Sequence, residues 1–293
     1  MPTSTPVAPQ KMPALAFPAL ILANGVLAMG PVLVRLTDVG PVAAAFWRLT
    51  LALPLLLALA APQLLRTRLR AGQWAMLLGA GLFFAADLAS WHAGIGHTKV
   101  ANATLFGNVS ALALPLWGMV VLRHRPAPLQ LVALALAAVG AAVLMGGSYE
   151  LSPRNLRGDL LCLLAGLLYT AYLLMVQDAR RGLDSWSALA VVSAAGAGPL
   201  LIAALTLGEQ VMPGDWTWVI VLALSSQLVG QGLMTYALAW FSPLVLGLSL
   251  LLQPAVGALA GWLLFGEWLS LADLAGALAI SIALVLVRLP ARA

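Results

Sequence analysis

Charged residues are scarce in this chain of 293 residues. Asp, Glu, Lys and Arg make up 9% of it, whereas soluble domains carry about 25%. Hydrophobic residues make up 62%, and the mean hydropathy is +0.99. These values exclude an ordinary soluble domain, and we expect an all-α integral membrane protein.

Several kinds of chemistry lack the residues they need. The single cysteine, Cys162, excludes a disulfide framework. No Walker A, H-E-x-x-H or G-x-S-x-G motif is present, so ATP-driven pumping by this chain and common hydrolase chemistry lack support. Membrane prenyltransferases and lipid phosphatases would need clustered acidic residues or Arg and His, which the sequence does not have. We expect no enzyme activity, no metal site and no cofactor.

The basic residues that give the net charge of +5 lie in short clusters between apolar segments. This placement is typical of membrane topology signals rather than of a nucleic-acid partner. With the N-terminus in the cytoplasm, ten basic residues face that side and four face the other, which predicts that both termini are cytoplasmic. Residues 1–13, rich in Pro, Ser and Thr, are predicted to be a cytoplasmic tail before a retained first helix.

Ten apolar segments are long enough to be membrane spans, each of which needs about 20 residues. They cover approximately residues 14–36, 40–61, 72–94, 98–121, 128–146, 157–178, 185–206, 216–238, 243–265 and 270–288.

The chain also resembles itself. A shift of 142 residues places Gly72 on Gly214 and Trp74 on Trp216. We therefore predict two five-helix repeats, at residues 14–147 and 148–289. Because five is an odd number, the second repeat must enter the membrane upside down. Such inverted repeats are typical of secondary transporters, whose substrate site lies near the midplane between the halves, so we expect a central cavity there.

Arg48 lies inside an apolar segment, where a charge costs about 2.5–3.5 kcal/mol on insertion scales. Asp87 on the third span is predicted at a similar depth, so an Arg48–Asp87 ion pair with a structural or gating role is one interpretation. The alternative is that each is satisfied separately, with Arg48 extending toward the membrane surface.

Other polar and aromatic residues within the spans are candidates for substrate contact, because lipid makes polar groups costly unless they face a cavity or a partner. Trp91 and His92 either belong to an interfacial belt or line the cavity. The amides either bond neighbouring helices or contact substrate, and the tyrosines either pack or present hydroxyls to a ligand. The candidates are Trp91, His92, Asn102, Asn108, Tyr169, Tyr172, Gln227, Gln231 and Gln253. Pro115 and Pro254 occupy related places in the two halves and are predicted to kink the fourth and ninth spans.

The segment "PVAAAFWR" opens the second span with Pro41, Phe46 and Arg48, and "QPAVGALAGWLLFGEW" carries Pro254, Gly266 and Glu267. With ten spans in two halves, these motifs make the chain similar to the drug/metabolite transporter superfamily, EamA type. The first half has Arg123-His124-Arg125 where the second has the Gly-Glu pair. The segment "SWHAGIGHTKVANATL" further resembles the YddG-like branch, bacterial inner-membrane exporters of aromatic and other amino acids.

This resemblance implies ten helices around a central cavity that opens alternately to each side of the membrane. The expected function is export of small amphipathic metabolites, above all aromatic and other amino acids, across the bacterial inner membrane. An exporter of drugs or other metabolites with the same fold is one alternative, and a membrane sensor or channel subunit is another. The expected partners are a small-molecule substrate and membrane lipid, without nucleic acid, and the carrier is expected to be monomeric.

Overall fold

The structure is a computed structural model that describes residues 12–98, 103, 106–146, 153–180, 182–265 and 270–287. Its helices are α1 (Ala16–Ala28), α2 (Gly30–Leu36), α3 (Pro41–Leu64), α4 (Ala71–Ile95), α5 (Ser110–Val120), α6 (Pro128–Gly146), α7 (Leu156–Ala179), α8 (Ser185–Thr206), α9 (Trp216–Leu222), a π-helix (Ala223–Gln231), α10 (Gly232–Ala237), α11 (Pro243–Leu250), α12 (Leu252–Phe265) and α13 (Leu271–Leu286).

The apolar helices fall where the sequence predicts its ten spans. Among the described residues, six helical stretches are long and apolar enough to cross a membrane, and four shorter apolar helices accompany them. The four shorter ones correspond to the fourth, fifth, ninth and tenth predicted spans. The all-helical membrane architecture is therefore confirmed.

Within the described residues, four of the spans are interrupted, at places where the helical hydrogen-bond pattern changes. The first breaks at Met29, two residues before Pro31, which lies in the first turn of α2 and has no N–H to donate to the preceding turn. The fourth has a turn at residues 108–109 before α5 begins. The eighth changes to a π-helix. The ninth breaks at Leu251, three residues before Pro254.

Helices of the two halves pack against one another in a regular pattern. The second span packs on the seventh (α3 on α8), the fourth on the ninth (α5 on α11), and the fifth on the tenth (α6 on α13). The third packs on the sixth (α4 on α7), and correspondingly the first packs on the eighth, where α1 meets the π-helix and α10. A twofold relation between the halves requires this pattern, and their inverted orientation remains a prediction.

Small residues permit the closest helix contacts, as is usual between membrane helices. A methyl group on Gly81 of α4 would lie 2.7 Å from the carbonyl oxygen of Val192 on α8. On α11, a methyl group on Gly247 would lie 2.6 Å from the carbonyl oxygen of Ala111. Pro115 has no N–H to donate to that carbonyl, and α5 continues through Pro115 without a break. The predicted effect of Pro115 is therefore seen as close packing, while the interruption lies earlier, before Ser110.

The antiparallel pair α3 and α8 is bonded at both of its ends. Where α3 begins, which we call the Pro41 end, the Glu209 carboxylate accepts hydrogen bonds from the backbone N–H groups of Val42 and Ala43, at 3.2 and 2.8 Å. At the opposite end, which we call the Gln63 end, Gln63 donates to the Gly182 carbonyl at 3.2 Å and accepts from the Asp184 N–H. Both links join the first half of the chain to the second.

Two charged groups just outside the helices have shifted pKa values. The backbone N–H of Thr217 bonds the Asp215 carboxylate at the start of α9 and lowers the pKa of that carboxyl. After α7, burial lowers the pKa of Arg180, an effect that the nearby Asp184 carboxylate opposes. Arg180 donates to the carbonyls of Thr235 and Tyr236 near the end of α10, which places that helix terminus at the Gln63 end.

Candidate functional site

Arg48 is buried in the middle of the helix bundle, with 7% of its surface exposed. It lies on the second turn of α3, which begins at Pro41 after an extended Gly40. Its Nε donates to Oε1 of Gln227 at 3.1 Å. The guanidinium carbon lies 5.7 Å from the centre of the Phe84 ring, within the range of a cation–π interaction. The charge therefore meets an amide from the other half of the chain and an aromatic face from its own half.

Gln227 is held in place by a second hydrogen bond. Its Nε2 donates to the Ser193 hydroxyl on α8 at 3.0 Å, and both side chains are fully buried. Because a side-chain amide has one oxygen and one nitrogen, the bond to Ser193 directs the oxygen of Gln227 toward Arg48. The chain Arg48–Gln227–Ser193 thus connects α3, the π-helix and α8.

An aromatic group adjoins this chain. Phe84 stacks on Tyr172, with 4.5 Å between ring centres and an angle of 19° between the rings. The rings of Tyr169 and Tyr172 lie 5.6 Å apart. Gln231 joins the two tyrosines, since it accepts from the Tyr172 hydroxyl at 3.3 Å and donates to the Tyr169 hydroxyl at 3.4 Å. The glutamine and tyrosine positions predicted from the sequence are therefore brought together.

We call this group the Arg48 cluster. It consists of Arg48, Phe84, Tyr169, Tyr172, Ser193, Gln227 and Gln231. Its first two members come from the first half of the chain and the other five from the second half, so the cluster lies where the halves meet.

The π-helix places both glutamines in the cluster. Such segments are rare and frequently occur at functional sites. The same span carries the buried hydroxyl of Ser226, which has no hydrogen-bond partner among the residues that the structure describes. Because buried polar groups are nearly always paired, the eighth span carries more polar capacity than the described protein groups satisfy.

Asp87 lies near Arg48, and their charges interact through space. The Nε of Arg48 donates to Gln227 rather than to Asp87, because the π-helix of the second half brings a neutral acceptor directly to the guanidinium. The Arg48–Asp87 ion pair stays a prediction. Asp87 itself is buried, with 8% of its surface exposed.

Trp91 and His92 contact each other near the Pro41 end, with 5.2 Å between their ring centres. His92 is buried, and its Nδ1 bonds the Pro41 carbonyl at the start of α3. Trp91 is partly buried, with its Nε1 beside Gly107. His92 thus contributes to the closure of the Pro41 end rather than to the hydrogen bonds of the Arg48 cluster.

Of the remaining candidates, Gln253 belongs to a second polar group. Asn108 is in the turn before α5, and Asn102, Gly266 and Glu267 lie outside the described residues. Gln253 donates to Asn24 at 3.1 Å, and Asn24 in turn donates to the Ser249 hydroxyl at 3.2 Å. These bonds form a second polar group, which joins α1 to the broken ninth span.

A cavity of about 210 Å³ lies elsewhere, where α5 meets α11. It shares no residue with the Arg48 cluster. Its lining includes Pro115, Gly118, Met119, His124, Ser242 and Pro243.

Sequence reasoning missed Ser193, Asn24 and Ser249. Each is a small polar residue in an apolar helix, and each is fully buried. A single serine inside a span can bond its own helix backbone, so nothing local distinguishes Ser193 from the other serines of the spans. If the α3–α8 packing were known, the helical repeat of 3.6 residues would identify Ser193 as the serine that faces α3. That packing is known only from the structure.

The comparisons with known proteins agree with this architecture. An uncharacterized transporter of Archaeoglobus fulgidus is 28% identical over 201 residues, which cover 68% of this chain and 71% of the relative. One solved protein crystal structure superposes with a TM-score of 0.74, covering 95% of this chain and 97% of the other, at 19% identity, and therefore supports the fold alone. The EamA-like transporter family matches residues 15–146 and, separately, residues 156–289. Since the two matches together span most of the sequence, the chain belongs to the EamA-like transporter family.

Proposed function

We propose that this transporter exports small amphipathic metabolites, aromatic and other amino acids above all, across the bacterial inner membrane. In this proposal the two five-helix halves are inserted in opposite orientations, both termini are cytoplasmic, and the carrier is a monomer that works by alternating access. The family assignment supports transport, and the Arg48 cluster supports this choice of substrate.

The observation that carries the proposal is the composition of the Arg48 cluster. A buried cation, two tyrosine hydroxyls and two amides adjoin a stacked pair of aromatic rings. Small-molecule sites combine mostly apolar walls with a few fixed polar groups. An amino acid with a large side chain presents the matching chemistry, because its charged groups need polar partners and its side chain needs an apolar surface.

The location of the cluster supports the mechanism. A substrate bound where the halves meet can be exposed to either side by a relative movement of those halves, without itself crossing the bundle. The interrupted first, eighth and ninth spans lie close to the two buried polar groups, as expected where irregular backbone lines a transport site.

Counterflow in proteoliposomes tests the proposal. Vesicles loaded with unlabelled amino acid should accelerate uptake of labelled phenylalanine, since a carrier exchanges solutes whereas a channel does not. A panel of amino acids and cationic drugs then identifies the preferred class. Tyr169→Phe and Tyr172→Phe should lower the exchange rate, because each removes a hydroxyl bonded to Gln231. Tyr236→Phe is the matched control, since Tyr236 lies near the Gln63 end, outside the cluster. Exchange restricted to drugs, or absent for every amino acid, would contradict the proposal.

A further inference from the structure

Arg48 has more hydrogen-bond donors than protein acceptors. A guanidinium offers five N–H groups in a rigid plane. Among the described residues, its hydrogen bond to protein is the one from Nε to Gln227. Both Nη nitrogens are therefore left without a described protein acceptor, although the residue is 7% exposed.

A guanidinium in this state has two donor groups that are free to bind an anion. The Phe84 face stabilises the buried charge only in part. Asp87 acts on Arg48 through space, without a hydrogen bond between them. The two Nη groups form the fork that binds a carboxylate through two parallel hydrogen bonds.

Gln227 and Ser193 fix the direction of that fork. The amide of Gln227 binds Nε, and Ser193 holds the amide in the orientation that presents its oxygen. With Nε bonded to Gln227 and the guanidinium carbon over the Phe84 ring, the two Nη groups remain without a described protein acceptor. Both residues act on a ligand through Arg48, so they are positioning residues.

We propose that Arg48 is a carboxylate-binding subsite, in which its two Nη groups bind the carboxylate of the transported solute while Gln227 and Ser193 position them. This inference rests on the proposed transport function and deepens it. It also changes the role of Arg48 from a structural ion-pair member to a direct contact with the substrate. The adjoining rings of Phe84 and Tyr172 place the apolar part of the same solute beside its carboxylate.

Three probes with the same phenyl ring test the two charged groups of such a solute one at a time. Phenylalanine has both a carboxylate and an ammonium group, 3-phenylpropionate has the carboxylate alone, and phenethylamine has the ammonium group alone. Equilibrium binding of each probe to the purified full-length protein is measured by competition with labelled phenylalanine and by direct calorimetry. We expect the two carboxylates to bind at least about tenfold more tightly than phenethylamine, because charge-assisted bidentate bonds are the strong ones.

The variants test the subsite and its positioning separately. Arg48→Gln should weaken both carboxylates about tenfold or more and leave phenethylamine unchanged. Ser193→Ala retains the charge, and we expect it to weaken the carboxylates about three- to fivefold, because Gln227 loses its anchor. Ser187→Ala is the matched control, since it removes a buried serine hydroxyl from the same helix as Ser193, at the Gln63 end and outside the cluster, and should leave all three affinities unchanged.

The opposite results overturn the proposal. The first such result is that phenethylamine binds as tightly as phenylalanine. The second is that neither phenylalanine nor 3-phenylpropionate binds. The third is that the affinity for both is unchanged in Arg48→Gln and in Ser193→Ala. If Arg48→Gln does not fold, the decision rests on Ser193→Ala and on the three probes with the parent protein. Failure of the transport function has a different signature, namely carboxylate binding that depends on Arg48 without any counterflow. Counterflow that is unchanged in Arg48→Gln would retain transport and refute the subsite.

Discussion

Replacing Glu209 with alanine should weaken the link between the two halves at the Pro41 end. The carboxylate accepts two backbone N–H groups in the first turn of α3, from Val42 at 3.2 Å and Ala43 at 2.8 Å. These donors have no acceptor within the helix, as is general for the first turn. The negative charge also lies at the positive end of the helix dipole.

The expected cost follows from these contacts. Leaving a buried donor unsatisfied costs about 1–3 kcal/mol, and loss of a helix cap costs about 1 kcal/mol. The site is partly buried, so water replaces some of the lost bonding, and we expect Glu209→Ala to lower the free energy of unfolding by about 2 kcal/mol. Glu209→Gln keeps an acceptor oxygen but loses the charge, so we expect about half that loss.

Gly40 provides an internal check on this reasoning. A methyl group there would overlap the Glu209 side chain, including its Cβ, although the φ of Gly40, −60°, suits any residue. Gly40→Ala should therefore displace Glu209 and cost at least as much as Glu209→Ala. Because the same hydrogen bonds are broken in either variant, their effects in the double mutant should be less than additive.

Reversible unfolding in mixed micelles with increasing dodecyl sulfate measures these free energies. Asp215→Ala is the control, because Asp215 is an exposed carboxylate that caps the start of its own helix, α9. If Glu209→Ala lies within about 0.5 kcal/mol of the parent, the range of ordinary surface substitutions, then Glu209 does not hold this end together. Strict additivity with Gly40→Ala would refute the shared mechanism.

Three further substitutions test local features with the same unfolding assay. Gly247→Ala should lower the free energy of unfolding by about 1–3 kcal/mol through overpacking against α5. Gly25→Ala is its control, because the added methyl group meets no atom within 4 Å and should not destabilise the protein. Equal effects of the two substitutions would contradict the close contact. Asp184→Ala should cost about 1 kcal/mol, because its carboxylate accepts the Ser187 N–H at 2.7 Å; no loss would refute the cap. The folded-state pKa of Asp215 is lowered, so its contribution to the free energy of unfolding is present above the unfolded carboxyl pKa and is lost as pH falls through the folded value. Asp215→Ala should therefore reduce the loss of stability in acid. An unchanged dependence of stability on pH would contradict this.

Hydropathy predicted the positions of the spans because a membrane helix must satisfy its own backbone within about 20 apolar residues. The interruptions were less accessible. A break at Leu251 precedes Pro254 and a break at Met29 precedes Pro31, but Pro115 lies inside a continuous helix. A proline frees a carbonyl in each case, and whether the helix breaks depends on what packs against that carbonyl. At Ala111 it is Gly247, from a span more than a hundred residues away.

For Arg48, the sequence predicts that the residue needs a partner but not which helix supplies it. Its cost in lipid identified it as a residue that needs a partner, and comparison of depths on neighbouring helices suggested Asp87. Its hydrogen-bond partner is instead Gln227, which was itself identified only as a polar residue of the eighth span. The pairing depends on the packing of α3 against the π-helix, and the sequence carries no local signal for that contact or for the π-helix itself.

The contacts at the two ends of the bundle also predict which helices would move under the proposed alternating-access mechanism. An alternating-access carrier must open each end in turn, yet α3 and α8 are bonded at both ends in one structure. We therefore expect this pair to stay together, so a short bis-maleimide linker that alkylates the thiols of Gln63→Cys and Asp184→Cys, in a Cys162→Ala background, should leave counterflow intact.

We expect α5 and α11 to separate instead. They touch at the Gln63 end, where a Cβ on Gly118 would lie 3.6 Å from the Cβ of Pro243. Beyond the break at Leu251, α12 packs on α1, α6 and α13 instead. That separation of 3.6 Å is close to the mean of about 3.8 Å between the Cβ atoms of a disulfide. Gly118→Cys with Pro243→Cys, in the same background, should form a disulfide that stops counterflow until it is reduced. Exchange that continues with this disulfide formed, or stops with the α3–α8 linker in place, would show that the moving contact lies elsewhere.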